Sequence, residues 1–185
     1  MNIVAVLGSP RPKGNSALMA EAFLSVARER GAETSVYLLN QMNIKGCQGC
    51  GKCKTESEIC VVEDDLKTVY EAIRGTDLLV LASPVYFGDL SAQMKCFWDR
   101  TYAWFNADFS PRLPPGKKSV LLLAQGAGAE EMYNDIHPRY ERWLKMFGFT
   151  ENFVVRAVGV REAGAVKDRP EPLEQARKLA RQLTG

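Results

Sequence analysis

Short apolar runs alternate with helix-period stretches along this 185-residue chain. Ile3 to Leu7 is a continuous apolar run closed by a Gly/Pro/Ser loop, the pattern of a buried strand. From Ser16 to about Arg30, Leu18, Met19, Ala22, Phe23 and Val26 recur at helical spacing, and Gly31 follows as a stop. The strand pattern returns at Thr34 to Leu39, Asp77 to Ala82, Ser119 to Ala124 and Phe153 to Val158. Between these runs, Asp64 or Asp65 can cap a helix carrying Leu66, Val69, Tyr70 and Ile73, which closes near Gly75. Ser91 can open another, with Met94, Phe97 and Trp98 on one face. A long helical stretch spans about 129 to 147 despite Pro138. The last helix starts near Pro172, well placed in a first turn, and runs to Leu183. Five strands alternating with helices predict an α/β fold, a doubly wound parallel sheet covered on both faces.

Composition narrows the classes. With 46% hydrophobic residues the chain can fill a sizeable core, and its length suits one domain over residues 1–185, with a cysteine-rich insertion at about 46–61. A formal net charge of +2 gives no electrostatic footprint for nucleic acid or a membrane surface. No apolar run reaches the length of a membrane span, and the first residues lack the features of a signal peptide. The expectation is a cytoplasmic protein.

The strongest chemical signal is four cysteines within fourteen residues: Cys47, Cys50, Cys53 and Cys60, with Cys96 the only other one. Three thiolates spaced by two residues, with a fourth close behind, can wrap one compact inorganic centre, and the spacing is similar to runs that hold iron–sulfur clusters. A structural zinc site would more often use two separated Cys-x-x-Cys pairs. A redox disulfide between Cys47 and Cys50 would leave two cysteines idle.

The first strand runs into Gly8-Ser9-Pro10-Arg11-Pro12-Lys13-Gly14-Asn15-Ser16 and then a helix. Helix N-terminal amides favour an anion there. The hydroxyls of Ser9 and Ser16, the Asn15 amide and the Arg11 fork can add to it. Asn15 stands where a P-loop needs lysine, the dinucleotide Gly-x-Gly-x-x-Gly is absent, and the loop has no cysteine nucleophile. A lone phosphate monoester, as on FMN, remains; the plainer alternative is a loop capped by Asn15 or Ser16. After the third strand, Ser83-Pro84-Val85-Tyr86-Phe87-Gly88 can face the first loop at the switch point of a 2-1-3-4-5 sheet and lie against a flat ring.

On these two loops, with Gln93-Met94-Lys95 and Asp99-Arg100, the chain resembles the flavodoxin-like NAD(P)H-dependent FMN reductase family. With the cysteines added it resembles the iron–sulfur flavoprotein branch. The resemblance implies a flavodoxin-like sheet of order 2-1-3-4-5. It implies FMN held at Ser9, Arg11, Asn15 and Ser16, with ring contacts from Pro84, Val85, Tyr86 and Phe87 and a third region around Gln125 and Gly126. It also implies a [4Fe-4S] cluster on Cys47, Cys50, Cys53 and Cys60, and assembly as a homodimer or homotetramer. Three functions follow: an electron-transfer flavoprotein fed by a carrier such as ferredoxin, a NAD(P)H-dependent FMN or quinone reductase without a cluster, or a zinc-stabilised binding module. His137, Cys96 and the three tryptophans read as structural.

Overall fold

The computed structural model describes all 185 residues. Six strands, β1 (Asn2–Leu7), β2 (Glu33–Leu38), β3 (Leu78–Tyr86), β4 (Asp89–Leu90), β5 (Lys117–Ala124) and β6 (Phe149–Ala157), are interleaved with six helices. These are α1 (Asn15–Glu29), α2 (Lys52–Thr55), α3 (Leu66–Arg74), α4 (Ala92–Arg100), α5 (Ile136–Phe147) and α6 (Pro170–Leu183). Five strands are parallel in the order β2-β1-β3-β5-β6, which is the expected 2-1-3-4-5 arrangement. The sixth, β4, was not expected; it pairs antiparallel with the end of β3.

The strands are apolar on both faces because both faces are covered. Along β1, Ile3, Ala5 and Leu7 enter a core shared with α1 and α6, while Val4 and Val6 enter a second core shared with α3, α4 and α5. Residues Leu78 to Ala82 of the central strand β3 are completely buried.

Several boundaries depart from the sequence pattern; β3, expected to end at Ala82, runs on to Tyr86. The expected helix over 129–147 begins only at Ile136. The segment before it is held as a loop by side chains. Gln125 Nε2 donates to the carbonyls of Ala127 and Ala129, and Arg156 reaches Gln125 Oε1, Asn134 Oδ1 and the Met132 carbonyl. Pro138 then falls in the first turn of α5, where its missing N–H costs nothing. β6 begins at Phe149, earlier than expected, because Gly148 ends α5 at φ +105° and turns the chain straight into the strand. Of the two aspartates offered as caps of α3, Asp64 is the one that bonds its first amide: its carboxylate accepts from the Leu66 and Lys45 N–H groups, while that of Asp65 accepts from the Asn43 N–H. The two aspartates sew the start of the cysteine segment onto α3.

The crossing of β1 and α4 is tight. A Cβ on Gly8 would lie 2.7 Å from Met94 Cβ and 2.8 Å from Ser91 Oγ. Gly8→Ala should therefore lower stability by about 1–3 kcal/mol, the usual cost of overpacking. Urea unfolding should show a lower midpoint with an unchanged m value.

Candidate functional site

Four loops leave the carboxyl ends of β1, β3, β5 and β6, and a cavity of about 280 Å³ opens among them. This is the side of an open α/β sheet where ligands bind. Ser9 and Arg11 line it from the first loop, Asn15 and Ser16 from the first turn of α1, Pro84, Val85 and Tyr86 from the end of β3, and Gly126 from the loop after β5. Two expected residues stand elsewhere. Phe87 is wholly exposed at the tip of the β3–β4 hairpin, outside the cavity, and Gln125 is buried beneath its own loop, engaged with Ala127, Ala129 and Arg156. The loop after β6, not expected at the site, contributes Val160, Arg161 and Ala163. Its signal in the sequence was slight: a polar stretch between Gly159 and Gly164 at the end of a strand.

Two buried serines lock the first loop to the second. Ser91 Oγ donates to the Gly8 carbonyl at 2.6 Å and accepts from the Met94 N–H, capping α4. Ser83 Oγ accepts from the Ser91 N–H at 3.0 Å. The loop after β1 is tightened internally. Ser9 Oγ accepts from the Arg11 N–H, Gly14 N–H donates to the Arg11 carbonyl, and a Cβ on Gly14 would lie 2.6 Å from Ser9 Oγ.

The start of α1 has no side-chain cap, so the plainer reading of this loop does not hold. Asn15 points away from it. Its Nδ2 donates to the Val160 and Glu162 carbonyls, and its Oδ1 accepts from the Val166 N–H. The Asn15 side chain thus clamps the fourth loop to α1 and leaves only its backbone amide for a ligand. The Ser16 hydroxyl is 1% exposed as a residue and has no hydrogen-bond partner. An uncapped helix end beside an orphaned buried hydroxyl is the arrangement that an anion would complete.

The cysteines form a second cavity, of about 220 Å³, lined by all four of Cys47, Cys50, Cys53 and Cys60. No three Cys, His, Asp or Glu side chains of the chain are gathered at the spacing of ligands to a single metal ion. Burial pushes the Cys53 thiol above its ordinary range, Lys54 pulls it down, and Cys60 and Cys50 push it up again. Three cations hold the segment through backbone carbonyls. Arg100 reaches those of Lys45 and Val62, either side of the cysteines, and makes a fully buried ion pair with Asp64. Arg112 reaches those of Cys53, Glu58 and Ala103, and Lys54 those of Tyr102 and Phe105. The two cavities share no lining residue. Helix α4 links them: its cap Ser91 bonds the loop after β1 and its last residue, Arg100, lines the cysteine cavity.

Comparison with known proteins decides the family, since the pattern of the NADPH-dependent FMN reductases matches residues 1–157. The chain belongs to that family. It is 31% identical over 148 residues to an iron–sulfur flavoprotein of Methanosarcina thermophila, covering 80% of this chain and 75% of that one. The fold is similar to an NAD(P)H:quinone oxidoreductase from Methanothermobacter marburgensis (TM-score 0.81, 22% identity, 99% and 96% of the two chains). It is also similar to an FMN-dependent NADH-azoreductase from Bacillus anthracis in complex with FMN (TM-score 0.76, 14% identity, the whole of both chains). The protein is a flavin-dependent oxidoreductase that uses FMN. No helix is long and apolar enough to cross a membrane.

Within this FMN reductase fold the cysteine segment depends on Arg112 more than on its own secondary structure, since α2 is four residues long. Arg112→Met removes three charge-assisted bonds to carbonyls. Amide hydrogen exchange across residues 53–58 should accelerate at least tenfold in this variant, while exchange in β1 and β3 stays as in the wild type.

Proposed function

We propose that this FMN-dependent oxidoreductase is an electron-transfer iron–sulfur flavoprotein, passing electrons between a reduced carrier such as ferredoxin, a [4Fe-4S] cluster and FMN. The observation that carries this reading is the single cavity walled by four thiols and one buried guanidinium. The donor set is all sulfur, and its Cys-x2-Cys-x2-Cys run with a fourth cysteine close behind favours a cluster over zinc, whose structural sites more often use two separated Cys-x-x-Cys pairs. Cys47, Cys50, Cys53 and Cys60 would hold the cluster. The arrangement around the other cavity fits FMN. Ser16 Oγ, Ser9, Arg11 and the first amides of α1 would hold its phosphate, and Pro84, Val85 and Tyr86 would lie toward the ring, with Gly126 opposite. Phe87 and the Gln125 side chain have no part in this subunit's own pocket.

The flavin supplies hydride or single-electron chemistry when bound, and the cluster single electrons. The polypeptide then has to bind, orient and exclude water, in keeping with a lining of Arg11, Arg161, Tyr86, small polar and apolar residues. Exposed Phe87, Tyr102, Phe109 and Trp143 offer apolar surface for a second copy, in keeping with a homodimer or homotetramer. A cluster-free NAD(P)H-dependent FMN or quinone reductase is the second reading, favoured by the family to which the chain belongs.

Iron and acid-labile sulfide per FMN separate the two. Protein purified without oxygen should carry roughly four of each per flavin. FMN without iron after anaerobic reconstitution would leave the plain reductase. A second test concerns Ser16. Ser16→Ala removes a buried hydroxyl without a partner, so apo-protein stability should hold or rise. FMN affinity should fall by about 10-fold or more, the size of a lost hydrogen bond to a charged group. Unchanged affinity would remove Ser16 from the phosphate site.

A further inference from the structure

Arg100 is the only charged side chain in the wall of the cysteine cavity, and it is 1% exposed. Its guanidinium has five N–H donors in a fixed fork. Nη1 reaches Asp64 and the Lys45 carbonyl, Nη2 reaches the Val62 carbonyl, and the Tyr70 ring lies 5.7 Å from Cζ. Nε–H has no partner. An unpaired donor on a buried cation is costly, and native structures leave few of them. Burial works against the charge; the bond to Asp64, then Tyr70 and Cys60, outweigh it and hold Arg100 above its ordinary range. The alternatives for satisfying Nε–H are few, because the rest of the cavity wall is thiol, glycine and apolar side chains apart from Gln48 and Tyr102.

Resting on the cluster reading above, we infer that Arg100 is a positioning residue for the cluster. Its Nε–H donates a hydrogen bond to the sulfur set of this cavity, and this bond raises the cluster's reduction potential. Adding one electron to a thiolate-bound cluster increases the negative charge on its sulfurs, so a hydrogen bond and a fixed cation both favour the reduced form. The same guanidinium closes the segment at Lys45 and Val62, so cluster geometry and cluster potential are set by one side chain. Asp64 keeps the guanidinium in its orientation and partly offsets its charge.

Arg100→Ala would strand the Asp64 carboxylate in the core and could prevent folding. Two other variants avoid this. Arg100→Lys keeps a cation against Asp64 and lacks the Nε–H; the double variant Asp64→Asn with Arg100→Gln removes both charges together. Wild type and variants, purified without oxygen, are assayed for iron, sulfide and FMN and titrated with dithionite, with the cluster followed by EPR. The expected result is wild-type iron and FMN in Arg100→Lys. Its one-electron reduction should be weakened about tenfold, roughly 59 mV toward more negative potential. The double variant should move at least as far in the same direction. An unchanged potential in the loaded variants would overturn the inference. Loss of iron with FMN retained would overturn it too, leaving Arg100 as a closure of the loop alone. Wild-type protein that takes up FMN and no iron would instead overturn the cluster reading, before any variant is made.

Discussion

The buried ion pair between Arg100 and Asp64 organises the part of this molecule that departs from a plain flavodoxin-like sheet. Both side chains are fully removed from solvent. Such a pair stabilises little on its own, because desolvating two charges offsets most of their attraction. Its effect here is on specificity. Asp64 also accepts from the Lys45 and Leu66 amides, and Arg100 reaches the Lys45 and Val62 carbonyls. The pair therefore fixes both ends of a stretch that has almost no secondary structure and whose cysteines are half-buried or exposed.

The other cavity rests on a different device, a set of short polar bonds between segments that the sheet order brings together. Ser91 and Ser83 join the loop after β1 to the hairpin at the end of β3, and Asn15 joins the start of α1 to the loop after β6. Once these side chains are engaged, what remains unsatisfied is the end of α1 and the Ser16 hydroxyl. Helix α4 carries both devices, with the serine lock at its start and the arginine at its end. From Ala92 to Arg100 that is about 12 Å of helix, so changes at either cavity act on the two ends of a single short rigid element.

Much of this was legible in the sequence, for local reasons. The apolar runs place β1, β3 and β5, the Ser91 cap marks the start of α4, and the two loops could be paired because the strand order of a doubly wound sheet is restricted. What was not legible depends on distant or unusual choices. The β3–β4 hairpin turns through Phe87 and Gly88, both at positive φ. A turn of that kind normally advertises itself with Asn or Asp at the first position, not phenylalanine. The role of Asn15 could not be read because its partners lie about 145 residues away. The helix pattern over 129–135 was overridden by Gln125 and Arg156, which hold that stretch as loop. Arg100 was visible only as part of an Asp-Arg pair in a family pattern. Its burial against Asp64, across a separation of 36 residues, leaves no local trace.

If the cysteine cavity is the route by which electrons reach the flavin, removing its thiols must slow flavin reduction by a protein donor. Stopped-flow reduction of FMN by reduced ferredoxin, in wild type and in a Cys50→Ser/Cys53→Ser variant that retains FMN, measures this directly. Rapid flavin reduction is expected in the wild type, with a loss of roughly a hundredfold or more in the variant. Equal rates in the two proteins would contradict the proposed route.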